Sequence, residues 1–140
     1  MKFTIPVKPR TKKNSQSFVT LKNGRTILLP SKPYKEFETL SVKYIEYELG
    51  NIETIDYPIN LKAWFFKDKN YKSDLVGYLQ ALQDTLVKAK ILQDDNTKIV
   101  FSTDGSRIFH DKNYPRIEVE ITKAKDYAEQ HNTMMKTDIF

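Results

Sequence analysis

Cysteine is absent from the 140 residues, and histidine occurs only as His110 and His131. The first absence excludes disulfides, cysteine-ligated zinc and thiol nucleophiles. The second leaves no metal-ligand spacing for a zinc hydrolase. Glycine (4) and proline (6) are scarce, which excludes collagenous and low-complexity chains. No apolar run approaches the roughly 18 residues that span a bilayer, and the N-terminus lacks an apolar signal core. No Gly-rich phosphate loop, Ser-x-Gly elbow or His-Glu-x-x-His motif occurs, so nucleophilic triads and zincin chemistry have no support. What is present is 39% hydrophobic residues with 8 Phe, 8 Tyr and 1 Trp, enough for one core in one domain. The expectation is a soluble, cytoplasmic protein without a membrane partner or an organic cofactor.

Charge is unevenly placed. Lys2, Lys8, Arg10, Lys12, Lys13, Lys22, Arg25, Lys32 and Lys35 precede the first acidic residue, Glu36. A one-sign segment of this size points to a polyanion such as nucleic acid, against the plainer reading of a solvated basic surface. Asn14, Ser15 and Gln16 add short polar donors of the kind that bind phosphate oxygens. The acids have a pattern too. From Thr54 to Ile117 every one is Asp: Asp56, Asp68, Asp74, Asp84, Asp94, Asp95, Asp104 and Asp111. Short carboxylates suit turns and caps, and they also suit Mg²⁺.

Periodicity gives the elements. Residues 3–7 alternate as a strand that Pro6 and Pro9 confine to an edge. Residues 18–21 and 26–29 flank Asn23-Gly24, a hairpin signal. A helix is predicted from near Ser31, with Pro33 early, apolar at Tyr34, Phe37, Leu40, Tyr44 and Ile45, and ended by Gly50-Asn51. Residues 59–66 read as a strand. The second helix runs from about Asp74 to Lys90, with Leu75, Tyr78, Leu79, Leu82, Leu86 and Ala89 in one buried stripe. Asp74, Gly77, Gln80, Ala81, Asp84 and Lys88 fall on another face. Strands follow at 98–101, 107–109 and 116–121. The fold class is α/β or α+β: a single mixed sheet with an N-terminal hairpin and two helices on one face. Residues 1–123 form the domain, and 124–140 are expected to be a frayed helix or a mobile tail.

What chemistry remains is that of carboxylates. Asp74 stands where a basic loop with Lys67, Lys69 and Lys72 enters the second helix, and Asp94 and Asp95 stand past its other end. A helix of about 17 residues is about 25 Å long, so the two ends meet only if the chain turns back or a second subunit supplies one of them. Physics alone leaves the pair open, with an N-cap and a polar turn as the plain alternatives.

The stretch from Lys72 to Asp95 resembles the signature of the RusA family of Holliday-junction resolvases. That signature is a basic residue, Asp-Leu-Asp-Asn-Leu, an Asp-x-Leu ten residues after the first Asp, and a final Asp-Asp. Lys8–Ser15 and Arg116–Thr122 match the family's N-terminal polar loop and closing strand. Such proteins are common in phages and prophages. The resemblance implies a homodimeric, Mg²⁺-dependent endonuclease, with Mn²⁺ as a substitute, that resolves four-way junctions by paired nicks in DNA recombination and repair. It maps the catalytic and metal-binding carboxylates to Asp74 and Asp95, with Asp94 beside Asp95, and Asp84 is the nearest substitute on the same helical face for a metal ligand that is missing here. It gives Lys8, Arg10, Lys12, Lys13, Asn14, Lys67, Lys69 and Lys72 to DNA. Two positions depart from the family: its second Asp is Val76 here, and its Asn is Gly77. A junction- or DNA-binding protein without cleavage is therefore the rival expectation.

Overall fold

The computed structural model describes residues 1–12 and 16–131. The elements are β1 (Lys2–Ile5), β2 (Gln16–Thr20), β3 (Thr26–Pro30), α1 (Lys32–Leu49), β4 (Ile59–Lys67), α2 (Leu75–Lys88), β5 (Val100–Ser102), β6 (Arg107–His110), β7 (Arg116–Lys123) and α3 (Ala124–Gln130). The main sheet has the order β1-β7-β4-β5, and β6 pairs with β4 farther along the β5 edge. β7 runs antiparallel to β1 and β4, whereas β5 and β6 run parallel to β4. The architecture is mixed α+β. The hairpin β2–β3 makes a two-stranded sheet of its own.

Alternation along β4 decides which face carries the core. Ile59, Leu61, Ala63 and Phe65 are fully buried, and the register sets Leu61, Ala63 and Phe65 beside Ile121, Val119 and Ile117 of β7. Phe3 and Ile5 of β1 continue the layer. Both α1 and α2 close over it. Phe65 stacks on Tyr78 of α2 with centroids 5.3 Å apart. α1 starts on a Ser31 cap and buries Tyr34, Phe37, Ser41 and Ile45. This stripe is narrower than the sequence pattern suggests: Leu40 and Tyr44 lie beyond its Phe37 edge and remain exposed. Ala81 is a second correction. It is fully buried rather than on the polar face of α2, and so is Thr85, whose hydroxyl donates to the Ala81 carbonyl at 2.8 Å.

The opposite sheet face is only partly covered. The turn after β5, with Gly105 at φ 85°, folds onto it. Asn60 Nδ2 donates to the Asp104 carbonyl at 3.2 Å and Trp64 Nε1 to the Gly105 carbonyl at 3.0 Å. This turn is what separates β5 from β6 along one edge of β4. The end of the chain adds a third helix: β7 runs straight into α3, which buries Ala124 and Ala128. Tyr127, Gln130 and His131 line a small cleft with Asn60, Lys62 and Glu120. Among the described residues no helix is long and apolar enough to cross a membrane.

Stability is expected to concentrate in this core. Phe65→Ala removes a fully buried ring from the middle of β4 and should cost ~3–5 kcal/mol. Phe18→Ala on the exposed hairpin should stay within about 0.5 kcal/mol. Urea unfolding of both variants, compared at the same slope, measures the difference.

Candidate functional site

The loop after β1 runs along α2. Lys8 Nζ pairs with Asp68 Oδ2 at 2.8 Å, just past the end of β4. That bond, more than any other influence, holds the Asp68 carboxyl below the usual aspartate value. Next along the loop, Arg10 lies close enough to Tyr78 to act on its hydroxyl, which burial pushes up to about 12. Thr11 then packs on Gly77, where an added Cβ would sit 3.2 Å from Thr11 Cγ2. Lys12 comes beside Asp84, one helical turn before the end of α2. Gly77 therefore has a local physical reason: even a Cβ there would crowd the Thr11 side chain and require the loop to shift by a few tenths of an ångström. Lys13 and Asn14 lie outside the described residues.

The entry to α2 is organised by Lys67. Its ammonium donates to the Tyr71 carbonyl and, at 2.9 Å, to Ser73 Oγ. It also sits over the Tyr71 ring. Lys67 is only 6% exposed, so it is an internal strut of the 68–74 loop rather than one of the solvent-facing cations. Lys69 and Lys72 are exposed. Asp74 caps α2: its Oδ1 accepts from the Val76 N–H at 3.1 Å, and the residue is exposed. Val76 is 69% exposed.

The acidic pair lies at the other end. After α2 the chain docks beside the segment that precedes β4, with Ile55 N–H donating to the Ile91 carbonyl and Gln93 N–H to the Ile55 carbonyl, both at 2.9 Å. Asp94 and Asp95 follow at once. Asp94 is spent on its own turn, accepting from Asp95 N–H at 2.7 Å and from Asn96 Nδ2 at 3.0 Å. Asp95 is exposed and lies near enough to Asp84 to act on its charge. Asp74 does not join them within the chain: fourteen helical residues separate it from this end, about 21 Å of axis.

Instead, α1 supplies a neighbour that no sequence pattern pairs with α2. Glu38 takes a 2.5 Å ion pair from Lys88 and lies near both Asp84 and Tyr34. The Tyr34 hydroxyl is buried there and makes no hydrogen bond of normal geometry. Burial, then Glu38 and Asp84, push its proton affinity up. Asp84 is half-buried, and burial raises its pKa first; Asp95 and Glu38 add to this while Lys12 opposes it. The molecule thus keeps a desolvated carboxylate against like charge, with a lysine on one side. Among the described residues no three His, Asp or Glu side chains converge tightly enough to hold a metal by themselves.

No protein-family model and no curated protein matches this chain.

Asp84 binds its proton more tightly in the folded chain than in the unfolded one, where the value is 3.8. Its stabilising contribution is complete below that value and is lost as pH rises through the higher folded value. Asp84→Asn should therefore raise Tm at pH 7 by a few degrees, and the gain should vanish as pH is lowered toward about 4. Thermal melts of both proteins across that range check the sign.

Proposed function

We propose that this protein is a RusA-like, divalent-metal-dependent endonuclease that nicks four-way DNA junctions as a homodimer. The observation that carries the reading is the approach of Asp95 to a half-buried Asp84 beside Lys12, at the end of a cationic loop laid along α2. Two carboxylates suffice for Mg²⁺, which keeps several waters and often takes only one or two protein ligands. Asp84 and Asp95 suit that role, because neither side chain is engaged in a hydrogen bond or ion pair among the described residues. Relief of their mutual repulsion would favour a cation there.

When bound, Mg²⁺ supplies an activated water and neutralises charge at the phosphate undergoing cleavage. Asp84 and Asp95 would hold it, and the buried Tyr34 hydroxyl lies near Asp84. Arg10, Lys12, Lys69 and Lys72 bind flanking phosphates. Lys8 does so indirectly, by fixing the loop to Asp68. Asp94 shapes the turn that presents Asp95. Asp74 keeps its Oδ2 free of the cap and acts at the far end of the cationic strip, where a second copy in the dimer would bring it to a partner's carboxylates. Two-fold symmetry of such a dimer suits the near two-fold symmetry of a four-way junction. The products are 5′-phosphate and 3′-hydroxyl ends.

Val76 favours one second reading, a junction-binding protein that does not cleave. Incubation of a synthetic mobile four-way junction with Mg²⁺ or Mn²⁺ separates the two. The nuclease reading expects paired nicks from the wild type, with Asp95→Asn and Asp84→Asn slower by roughly two orders of magnitude, about 2.7 kcal/mol of barrier. It expects Asp74→Asn to be slower as well. Tight binding with no nick in either metal supports the second reading instead, and equal cleavage by all four proteins refutes the site.

A further inference from the structure

The hairpin β2–β3 holds exposed apolar surface and charge of one sign only. Its strands pair from Gln16↔Pro30 to Thr20↔Thr26, and its tip is Lys22-Asn23-Gly24 with Gly24 at φ 84°. The Leu21 N–H donates to the Arg25 carbonyl at 2.7 Å, and Asn23 Oδ1 accepts from the Arg25 N–H at 3.0 Å. One face carries Val19, Ile27 and Leu29, with Ile27 and Leu29 half-buried. The other carries the Phe18–Leu28 pair and the Thr20–Thr26 pair, all exposed, with Phe18 78% exposed. Lys22 and Arg25 stand at the tip, and no carboxylate occurs in the chain before Glu36.

A lone two-stranded ribbon has no core of its own to justify a solvent-facing phenylalanine. A second copy is a poor cover, since two such tips would oppose like charges with no acid to match them. Duplex DNA is complementary in both respects. Its major groove admits a two-stranded ribbon, threonine and phenylalanine side chains meet thymine methyl groups there, and the walls are phosphates. We propose that β2–β3 enters the major groove of a duplex arm, with Lys22 and Arg25 on its phosphates and Phe18, Thr20, Thr26 and Leu28 against base edges. This inference rests on the DNA reading above, but it assigns a different set of side chains from the carboxylates and the loop beside α2.

The test is fluorescence anisotropy of the full chain with a labelled 20-bp linear duplex, without divalent metal, at several salt concentrations. Lys22→Glu with Arg25→Glu should weaken binding by roughly one to two orders of magnitude and lower the salt slope by about 2. Phe18→Ser should weaken binding while leaving the slope unchanged. Methyl green, a major-groove ligand, should compete, and netropsin, a minor-groove ligand, should not. Wild-type binding that both variants retain overturns the ribbon's role and leaves the cleavage reading untouched. A wild type that binds no duplex overturns it as well. A change of mass in size-exclusion chromatography on charge reversal overturns it in favour of a self-interface. Intact ribbon-dependent binding with no junction cleavage in Mg²⁺ refutes the nuclease reading alone.

Discussion

β4 and β5 run parallel, so the chain between them must travel back along the sheet before β5 can begin, and α2 is that return. This constraint places every acidic residue of interest. Asp74 follows the end of β4 and Asp95 precedes β5, so they stand at opposite ends of α2. Nothing in the sheet can bring them together without unpairing β5. The burial of Leu82 and Leu86 on Phe65 and its neighbours holds the helix in that position. Asp84, on the last turns of the same helix, is the carboxylate that the topology delivers to Asp95.

The N-terminal loop depends on the same helix. Three contacts of different kinds follow one another along it: an ion pair at Lys8, a close steric fit of Thr11 on Gly77, and electrostatic attraction of Lys12 to Asp84. The first is worth under about 1 kcal/mol at a partly exposed site. The second is a close fit that a Cβ at position 77 would tighten. Together they keep cations beside carboxylates without joining all of them in closed ion pairs, which would leave nothing for a phosphate to bind.

Much of this fold was legible in the sequence because its elements obey one period each. β4 and β7 alternate, α2 keeps one apolar stripe, and Ser31, Asp74 and Gly50 act as the caps their residue types suggest. The misses share a cause. Ala81 and Ser41 are small residues buried where α1 and α2 come close, and small size reads as polar-face filler until the neighbouring helix is known. Lys67 reads as a DNA-facing cation from its type, yet the odd positions of β4 point inward and its long stem carries the ammonium to the 68–74 loop. The acidic doublet was visible. Asp84 was visible as well, but Glu38 was not, because it lies 46 positions from Asp84 and no local pattern couples them.

The distribution of charge in space carries a last consequence. A polyanion drawn to Arg10 and Lys12 is drawn toward Asp84 and Asp95, and burial, with Asp95 and Glu38 adding to it, already raises the proton affinity of Asp84. A phosphate placed there would add a third negative charge at short range, in a partly desolvated setting where screening is weak. Two outcomes are physically open. The backbone can pass on the lysine side at a distance, as a pure binder would hold it, or a cation can stand between phosphate and carboxylates. Only the second makes use of the desolvation that Asp84 suffers, since a half-buried carboxylate costs stability and a binder gains nothing from it. That asymmetry favours the proposed hydrolytic reading over simple binding, although Val76 stands where the signature it resembles has a carboxylate.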